Sequence, residues 1–306
     1  MNYAMTVKGK KRADELGITY AHEHLLVKPN SPDPKYEDYT LDDLGKSSAE
    51  AAAFRAAGGQ TLVEMTMINY GRDAEGLQNI SRETKADIIC TTGFHKDEFI
   101  PDWFDEKSDG VIGSLLEQEI AEGIDGTDIQ PGVIKCGTSL QTMTAREKRA
   151  FSIVAAVQRE MDIPVSTHTE KGTMGIEQAD LLLEAGVAPG RILLCHIDSR
   201  QDTEYAAEIL RRGVFVCFDH VGRELADHDA LRVKMFAELF SAGFGNQLMV
   251  AGDMGKKSYF RSYGGKPGLS YILQGLVPEL KKAIGEDGVR KLLIENPQRF
   301  FGYLNS

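Results

Sequence analysis

The sequence predicts a single (β/α)8 barrel, an α/β fold taking in residues 1–306. Two observations carry that reading. Short runs rich in Val, Ile, Leu and Thr alternate along the whole chain with longer segments of helical character, the pattern of a parallel sheet covered by helices. Eight such pairs can be counted, and eight units in about 250 residues is the usual size of a closed barrel. Nothing in the chain resembles a linker, and no repeat beyond this alternation is present. An open doubly wound sheet is the runner-up, but no Gly-x-Gly-x-x-Gly follows the first strand to support it.

In order, the candidate strands are Gly17 to Ala21, Thr61 to Met65, Asp87 to Thr92, Gly132 to Cys136, Pro164 to His168, Ile192 to His196, Val214 to Phe218 and Leu248 to Gly252. Helical segments between them include Leu41 to Ala57, Gly113 to Glu122, Thr144 to Met161, Ile176 to Glu184, Thr203 to Arg211 and Asp229 to Phe240. Thr144 and Glu147 have capping-box spacing, and Gly186 and Gly213 sit where helices should stop. The Pro-rich stretch Pro29 to Pro34 and the Gly-rich stretch Gly264 to Gly268 read as long loops after the first and eighth strands.

Composition excludes several classes. With 35 basic and 46 acidic side chains the formal charge is −11, which argues against binding a phosphate backbone. Four cysteines, Cys90, Cys136, Cys195 and Cys217, are too sparse for a disulfide framework and never form a CxxC pair. No apolar stretch is long enough to span a bilayer, and the N-terminus lacks an apolar signal core. The expectation is a cytoplasmic protein with no nucleic-acid or membrane partner.

In such a barrel the chemistry sits at the C-terminal ends of the strands. The first candidate strand runs into His22-Glu23-His24, the fourth ends on Lys135, the fifth on His168, the sixth on His196, and the eighth runs into Asp253. Four of the seven histidines therefore reach one rim. Alternation turns His22 and His24 inward together and Glu23 away. A lone His-x-His is a weak signal, but four imidazoles and a carboxylate from separate strands form a donor set for zinc or a similar first-row ion. Burial beside such a cluster lowers the pKa of Lys135, and a neutral amine can add carbon dioxide to become a carbamate with two metal-binding oxygens. At this point two other readings of Lys135 stay open: an ammonium that snorkels out to the rim, or one that pairs with Glu170.

The segments Gly17-Ile-Thr-Tyr-Ala-His-Glu-His24, Gly132-Val-Ile-Lys-Cys-Gly-Thr-Ser139, Ser166-Thr-His-Thr169, Cys195-His196 and Gly252-Asp253, with the closing Ile294-Glu-Asn-Pro-Gln-Arg-Phe300, resemble the phosphotriesterase family of the amidohydrolase superfamily. The resemblance implies a TIM barrel with a binuclear metal centre at its C-terminal face. It implies two divalent ions, zinc foremost, with manganese, cobalt or iron as the other candidates. His22, His24 and Asp253 would hold the more buried ion and His168 and His196 the more exposed one. Lys135, carboxylated at its side-chain nitrogen, would bridge them together with a hydroxide, and Asp253 would also serve as the catalytic acid and base. The family further implies a homodimer.

The loops decide the substrate. Arg223 follows the seventh strand, and Lys256, Lys257, Arg261 and Tyr263 follow the eighth. Cations converging on the active face of an acidic protein suggest an anionic small molecule. The competing reading has some of these cations solvated or paired with Glu224 and Asp227. The expected activity is a lactonase acting on a small, phosphorylated or otherwise acidic sugar lactone. The alternatives are an organophosphate ester hydrolase, a non-catalytic metal-binding barrel, and a metal-free enzyme using Lys135 as a Schiff-base amine. Cys136 and Cys195 should point outward as packing groups, one residue from an inward ligand. His95 lies in the loop where many lactonase relatives carry a tyrosine; it either fills part of that role as a hydrogen-bond donor or sits on the loop surface, and the surface is the expectation. His220 is expected to face the pocket, Trp103 to pack at the rim, and His228 to precede or cap a helix.

Overall fold

The computed structural model describes residues 2–223 and 226–305, with the side chains of residues 226, 227 and 305 left aside. Glu224 and the side chain of Asp227, the expected acidic partners of the loop cations, therefore lie outside the described residues. Among the described residues no helix is long and apolar enough to cross a membrane.

Eight parallel strands form the barrel. They are β3 (Thr19–Glu23), β4 (Thr61–Glu64), a third strand in two pieces, β5 (Asp87–Ile89) and β6 (Thr91–Gly93), then β7 (Val133–Thr138), β8 (Val165–Thr169), β9 (Ile192–Cys195), β10 (Phe215–Phe218) and β11 (Leu248–Val250). The pairing order is β3-β4-β5 and β6-β7-β8-β9-β10-β11. Cys90 joins the two parts, because β5 pairs with β4 while β6 pairs with β7 and the Cys90 carbonyl accepts from the Gly132 N–H at 2.9 Å. The first strand starts two residues later than its sequence signal, since Gly17 turns left-handed (φ 61) and the Ile18 N–H is taken by Gln60 Oε1.

Closure is the decisive step. The Asp253 N–H donates to the His22 carbonyl at 3.1 Å, and the carboxylate of Glu23 accepts from the N–H groups of Gly252 (2.6 Å) and Met254 (3.0 Å). Glu23 does turn away from its histidine neighbours, but it is fully buried and joins the first barrel strand to the last.

The helices follow their caps. Asp43 starts α1 (Leu44–Ala56), Ser108 starts α4 (Asp109–Glu122), and Thr144 with Glu147 forms the expected capping box of α5 (Ala145–Met161). Asp202 starts α7 (Thr203–Leu210); α6 spans Gly175–Glu184 and α8 Ala226–Ser241. Also present are α2 (Ala74–Thr84), α3 (Trp103–Glu106), α9 (Val277–Arg290) and α10 (Asn296–Phe301). An N-terminal hairpin, β1 (Asn2–Thr6) and β2 (Gly9–Arg12), pairs antiparallel with β12 (Leu304–Asn305). Its short polar strands carry almost no apolar alternation, which is why the sequence pattern passes over them.

Gly93 lies against the Lys135 backbone: its φ is +99, the next N–H, of Phe94, donates to the Lys135 carbonyl at 2.8 Å, and a Cβ would come within 2.1 Å of that oxygen. Two stability predictions follow from these contacts. Gly93→Ala lowers unfolding stability by about 1–3 kcal/mol through left-handed strain and the clash. Glu23→Gln costs about 1–3 kcal/mol, because one of the two buried N–H groups loses its acceptor. Denaturant melts of the two variants check both values.

Candidate active site

Strand alternation delivers His22 and His24 from β3 to the barrel mouth, where both are buried, and Lys135 from β7 stands beside them. The His22 Nε2 lies 3.5 Å from Asp253 Oδ1 and 3.3 Å from Lys135 Nζ, and the His24 Nε2 lies 3.2 Å from the same Asp253 oxygen. The ligand atoms of His22, His24 and Asp253 all fall within 4.8 Å of one another.

Carboxylates behind the rings set their orientation. The Glu64 carboxylate accepts from the N–H groups of Leu25 and Thr66 and from the Thr66 hydroxyl at 2.6 Å. With its proton committed there, Thr66 Oγ1 accepts from His24 Nδ1 at 2.8 Å, so the Nε2 of His24 is a bare lone pair. Asp219 does the same for the His196 ring and stands close to a second, His22, whose Nδ1 makes no hydrogen bond. Its Oδ1 accepts from His196 Nδ1 at 2.8 Å and from the His196 N–H at 2.9 Å, and its Oδ2 lies 3.4 Å from His22 Nδ1. The result is a buried nest in which the lone pair of His24 faces a carboxylate oxygen of Asp253. Two acceptors converging at that distance are the donor chemistry a divalent cation satisfies, so the residues present fit a metal centre.

The electrostatics agree. Burial pushes His22 well below its ordinary pKa, His196 to about 4 and His168 to about 3, so these rings are neutral, ligand-competent imidazoles at pH 7. Burial also lowers the Lys135 ammonium, against the pull of Asp253. Lys135 has no carboxylate at ion-pair distance among the described residues; its neighbours are His22 and the Met65 carbonyl at 3.4 Å. The snorkelling and Glu170-paired readings both fail, because Lys135 is 1% exposed and Glu170 is engaged by Lys96 Nζ at 2.8 Å and His168 Nε2 at 3.0 Å. Burial alone would raise the Asp253 carboxyl, but the Arg223 guanidinium foremost outweighs it and holds it well below the usual value.

His168 sits one ring away, its centroid 4.7 Å from that of His196. Its Nε2 is turned to Glu170, so of the six expected ligands it is the one whose nitrogen is not gathered into the nest.

Above the nest opens a cavity of about 730 Å³. One wall carries Lys35 and Lys96, and both are compensated: Glu98 accepts from Lys35 at 3.2 Å and from the Tyr36 hydroxyl at 2.6 Å, and Lys96 reaches Glu170 and Glu98. The other wall carries Arg223 and Lys256. Arg223 donates through Nη1 to Asp253 Oδ2 and lies 5.1 Å from the Tyr259 ring centroid. Lys256 Nζ stands 4.4 Å over Tyr39 and 5.4 Å from Tyr259, with no carboxylate at ion-pair distance among the described residues.

Several expectations need correction. Lys257, Arg261 and Tyr263 do not line the cavity. Asp38 pins the turn after Lys256 by accepting from the Lys257 N–H at its carbonyl and from the Ser258 N–H and hydroxyl at its carboxylate, which carries the following residues away from the mouth. Arg261 then donates to the Pro267 carbonyl at 2.6 Å, and the Tyr263 hydroxyl accepts from the Asp43 N–H at the start of α1.

Cys195 points into the barrel rather than outward. Its sulfur is 3.4 Å from Ser166 Oγ and groups with His22 and Asp219, because His196 adopts a left-handed backbone (φ 65) and breaks the alternation assumed for this strand. His95 is not on the surface. It is buried in the cavity wall, stacked on Phe99, edge-on to His168 at 4.5 Å, with its Nδ1 unpartnered. His228 lies within α8 rather than before it.

Other placements follow expectation. His220 faces the cavity with its Nε2 3.7 Å from Asp253 Oδ2, and Trp103 packs at the rim against Phe94. Asp219, Tyr39 and Tyr259 were not singled out from sequence. For Asp219 a signal existed, since it continues the inward face of Cys217 at the end of a barrel strand.

Comparison with known proteins places the chain. The profile of the Phosphotriesterase family matches residues 3–301. A phospho-furanose lactonase of Mycoplasmopsis agalactiae is 28% identical over 323 residues, covering 98% of this chain and 92% of that one. The crystal structure of a lactonase from Listeria monocytogenes superposes with a TM-score of 0.95 at 29% identity, covering 99% of this chain and 100% of that one. The phosphotriesterase homology protein of Escherichia coli, solved with phosphate in its active site, gives a TM-score of 0.90 at 31% identity over 94% of this chain and 99% of that one. The chain belongs to the phosphotriesterase family, a family of binuclear metal hydrolases on a TIM barrel, and is an enzyme of that hydrolase type.

Proposed function

We propose that this protein is a metal-dependent lactonase whose substrate is a small sugar lactone bearing a phosphate or another acidic group. The observation that carries the reading is the asymmetry of the mouth. One wall neutralises Lys35 and Lys96 with Glu98 and Glu170, although Lys171, which also lines the cavity, has no carboxylate at ion-pair distance among the described residues, while the wall beside Asp253 presents Arg223 and an uncompensated Lys256. An anion on the substrate completes that second wall, in an otherwise acidic protein. Two relatives, a phospho-furanose lactonase and a homologue solved with phosphate in its active site, support the same class. Neutral, bulky phosphate triesters leave Lys256 without a partner, so organophosphate hydrolysis is the secondary activity.

In this reading His22, His24 and Asp253 would hold one cation, and His168 and His196 a second. His168 would have to leave Glu170 to do so, and Lys96 would still balance the Glu170 charge. Lys135 would supply a further ligand as a carbamate: its neutral Nζ would attack carbon dioxide, the N–C bond forming as one C=O π bond opens to a carboxylate, with one amine proton passing to water. Cations in this nest supply Lewis acidity, making water nucleophilic at neutral pH and polarising the lactone carbonyl. Asp253 accepts the proton of the attacking water and returns it to the ring oxygen as the C–O bond breaks, releasing a hydroxy acid. Arg223 links the anion seat to Asp253, so a bound substrate anion and the proton-transfer group share one guanidinium.

Two measurements test this. Elemental analysis of the purified enzyme should find about two divalent ions per chain. Lys135→Ala should bind less metal and lose at least about 100-fold in activity; an unchanged metal content in that variant overturns the bridging role. Steady-state kinetics on sugar lactones with and without a 5-phosphate should favour the phosphorylated set. Lys256→Met should raise KM for that set about 10- to 100-fold, whereas Lys257→Met, outside the cavity, should stay within about twofold of the parent. Equal efficiency on both substrate sets removes the case for an anion seat.

A further inference from the structure

We infer that Arg232, a buried guanidinium on α8, is a positioning residue that braces the metal nest and the anion seat at once. The inference rests on reading His22 and His196 as ligands and Arg223 as the anion contact. Arg232 is 2% exposed and touches neither site. It donates through Nε to Asp198 Oδ2 at 2.6 Å and through Nη1 to Asp229 Oδ1 at 2.9 Å.

Each of those carboxylates clamps one end of the loop that follows β10. Asp198, fully buried, accepts from the N–H groups of Asp219 and His220, both at 3.2 Å. Asp219 in turn orients the ring of His196, and its other oxygen lies 3.4 Å from His22 Nδ1. Asp229 accepts from the Gly222 N–H at 3.1 Å and from the Tyr271 hydroxyl at 2.9 Å. Gly222 immediately precedes Arg223 and has φ 75; a Cβ there would come within 2.6 Å of Tyr271, so the turn has no slack.

Residues 219–223 thus run from the carboxylate that aims the His196 imidazole to the guanidinium that reaches Asp253, and Arg232 holds both ends through one planar fork. Two buried carboxylates facing the same loop need a shared cation, and the two donated bonds diverge from different nitrogens, a geometry that a lysine ammonium does not reproduce. Asp229 and Arg232 are one helical turn apart, so α8 supplies cation and acid together, while Asp198 comes from the turn after β9.

The test compares the full-length parent with Arg232→Met, Arg232→Lys, Asp198→Asn and Asp229→Asn. Metal retained after dialysis against graded chelator is read by elemental analysis, the ratio of KM values for phosphorylated and unphosphorylated lactone by kinetics, and folding by thermal melts. Both Arg232 variants should hold metal about 10- to 100-fold more weakly and lose the KM ratio. Asp198→Asn should weaken metal retention with the KM ratio kept, and Asp229→Asn should collapse the KM ratio with metal retention kept. If the Arg232 variants do not fold, the split between the two near-isosteric Asn variants decides the matter.

Parental metal retention and KM ratio in folded Arg232 variants overturn the brace. So do Asn variants that lose both properties in step with their melting temperature, which marks a purely structural role. A parent enzyme that retains no metal, or has no KM ratio to lose, overturns instead the functional reading on which the brace rests.

Discussion

The hydrogen bond from the Asp253 N–H to the His22 carbonyl, backed by Glu23 on Gly252 and Met254, is the contact on which the rest of this molecule depends. It closes the barrel. Until it forms, the two histidines of the first barrel strand and the aspartate after the last are more than 220 residues apart in sequence, and no local preference brings them together. Closure places a carboxylate oxygen opposite imidazole nitrogens at the largely buried foot of the cavity, an arrangement that costs free energy unless a cation is shared among them. Stability and function are therefore opposed at this point, and the carboxylates behind the rings hold the strained arrangement in place.

Those outer carboxylates form a layer of their own. Glu64 acts through Thr66 on His24, Asp219 acts on His196, and Asp198 acts on the Asp219 backbone. The first two each occupy one nitrogen of a ring and so aim its other nitrogen at the nest. Charge is graded outward from there, with neutral rings and Lys135 in the nest, Arg223 at its edge, and Lys256 between two aromatic rings at the opening. In a chain of net charge −11, Lys256 still stands at this mouth with no carboxylate at ion-pair distance among the described residues, because Glu98 and Glu170 are already committed to other partners.

The features legible in the sequence were those with a short period. Alternation within single strands placed His22, His24 and Lys135 on the inner face, and helix starts at Thr144 and other caps appeared close to where the side-chain chemistry put them. The same rule failed at Cys195, because the left-handed turn at His196 reverses the face in one residue and no residue type announces it. It failed again after Lys256, where the path of the loop is set by Asp38, some 220 positions away. His95 looked like a loop residue for the same reason: its burial comes from Phe99, Tyr70 and His168, which meet it only in the folded chain.

By itself, the sequence determined the barrel, the rim on which its chemistry lies, and the donor types gathered there, since hydrophobic period, strand alternation and residue chemistry are local properties. The tertiary structure decided which cations line the cavity, which carboxylates stand behind the imidazoles, and which two carboxylates Arg232 joins. Those are relations between strands and loops far apart in sequence, set by barrel closure and by hydrogen bonds that no periodicity encodes.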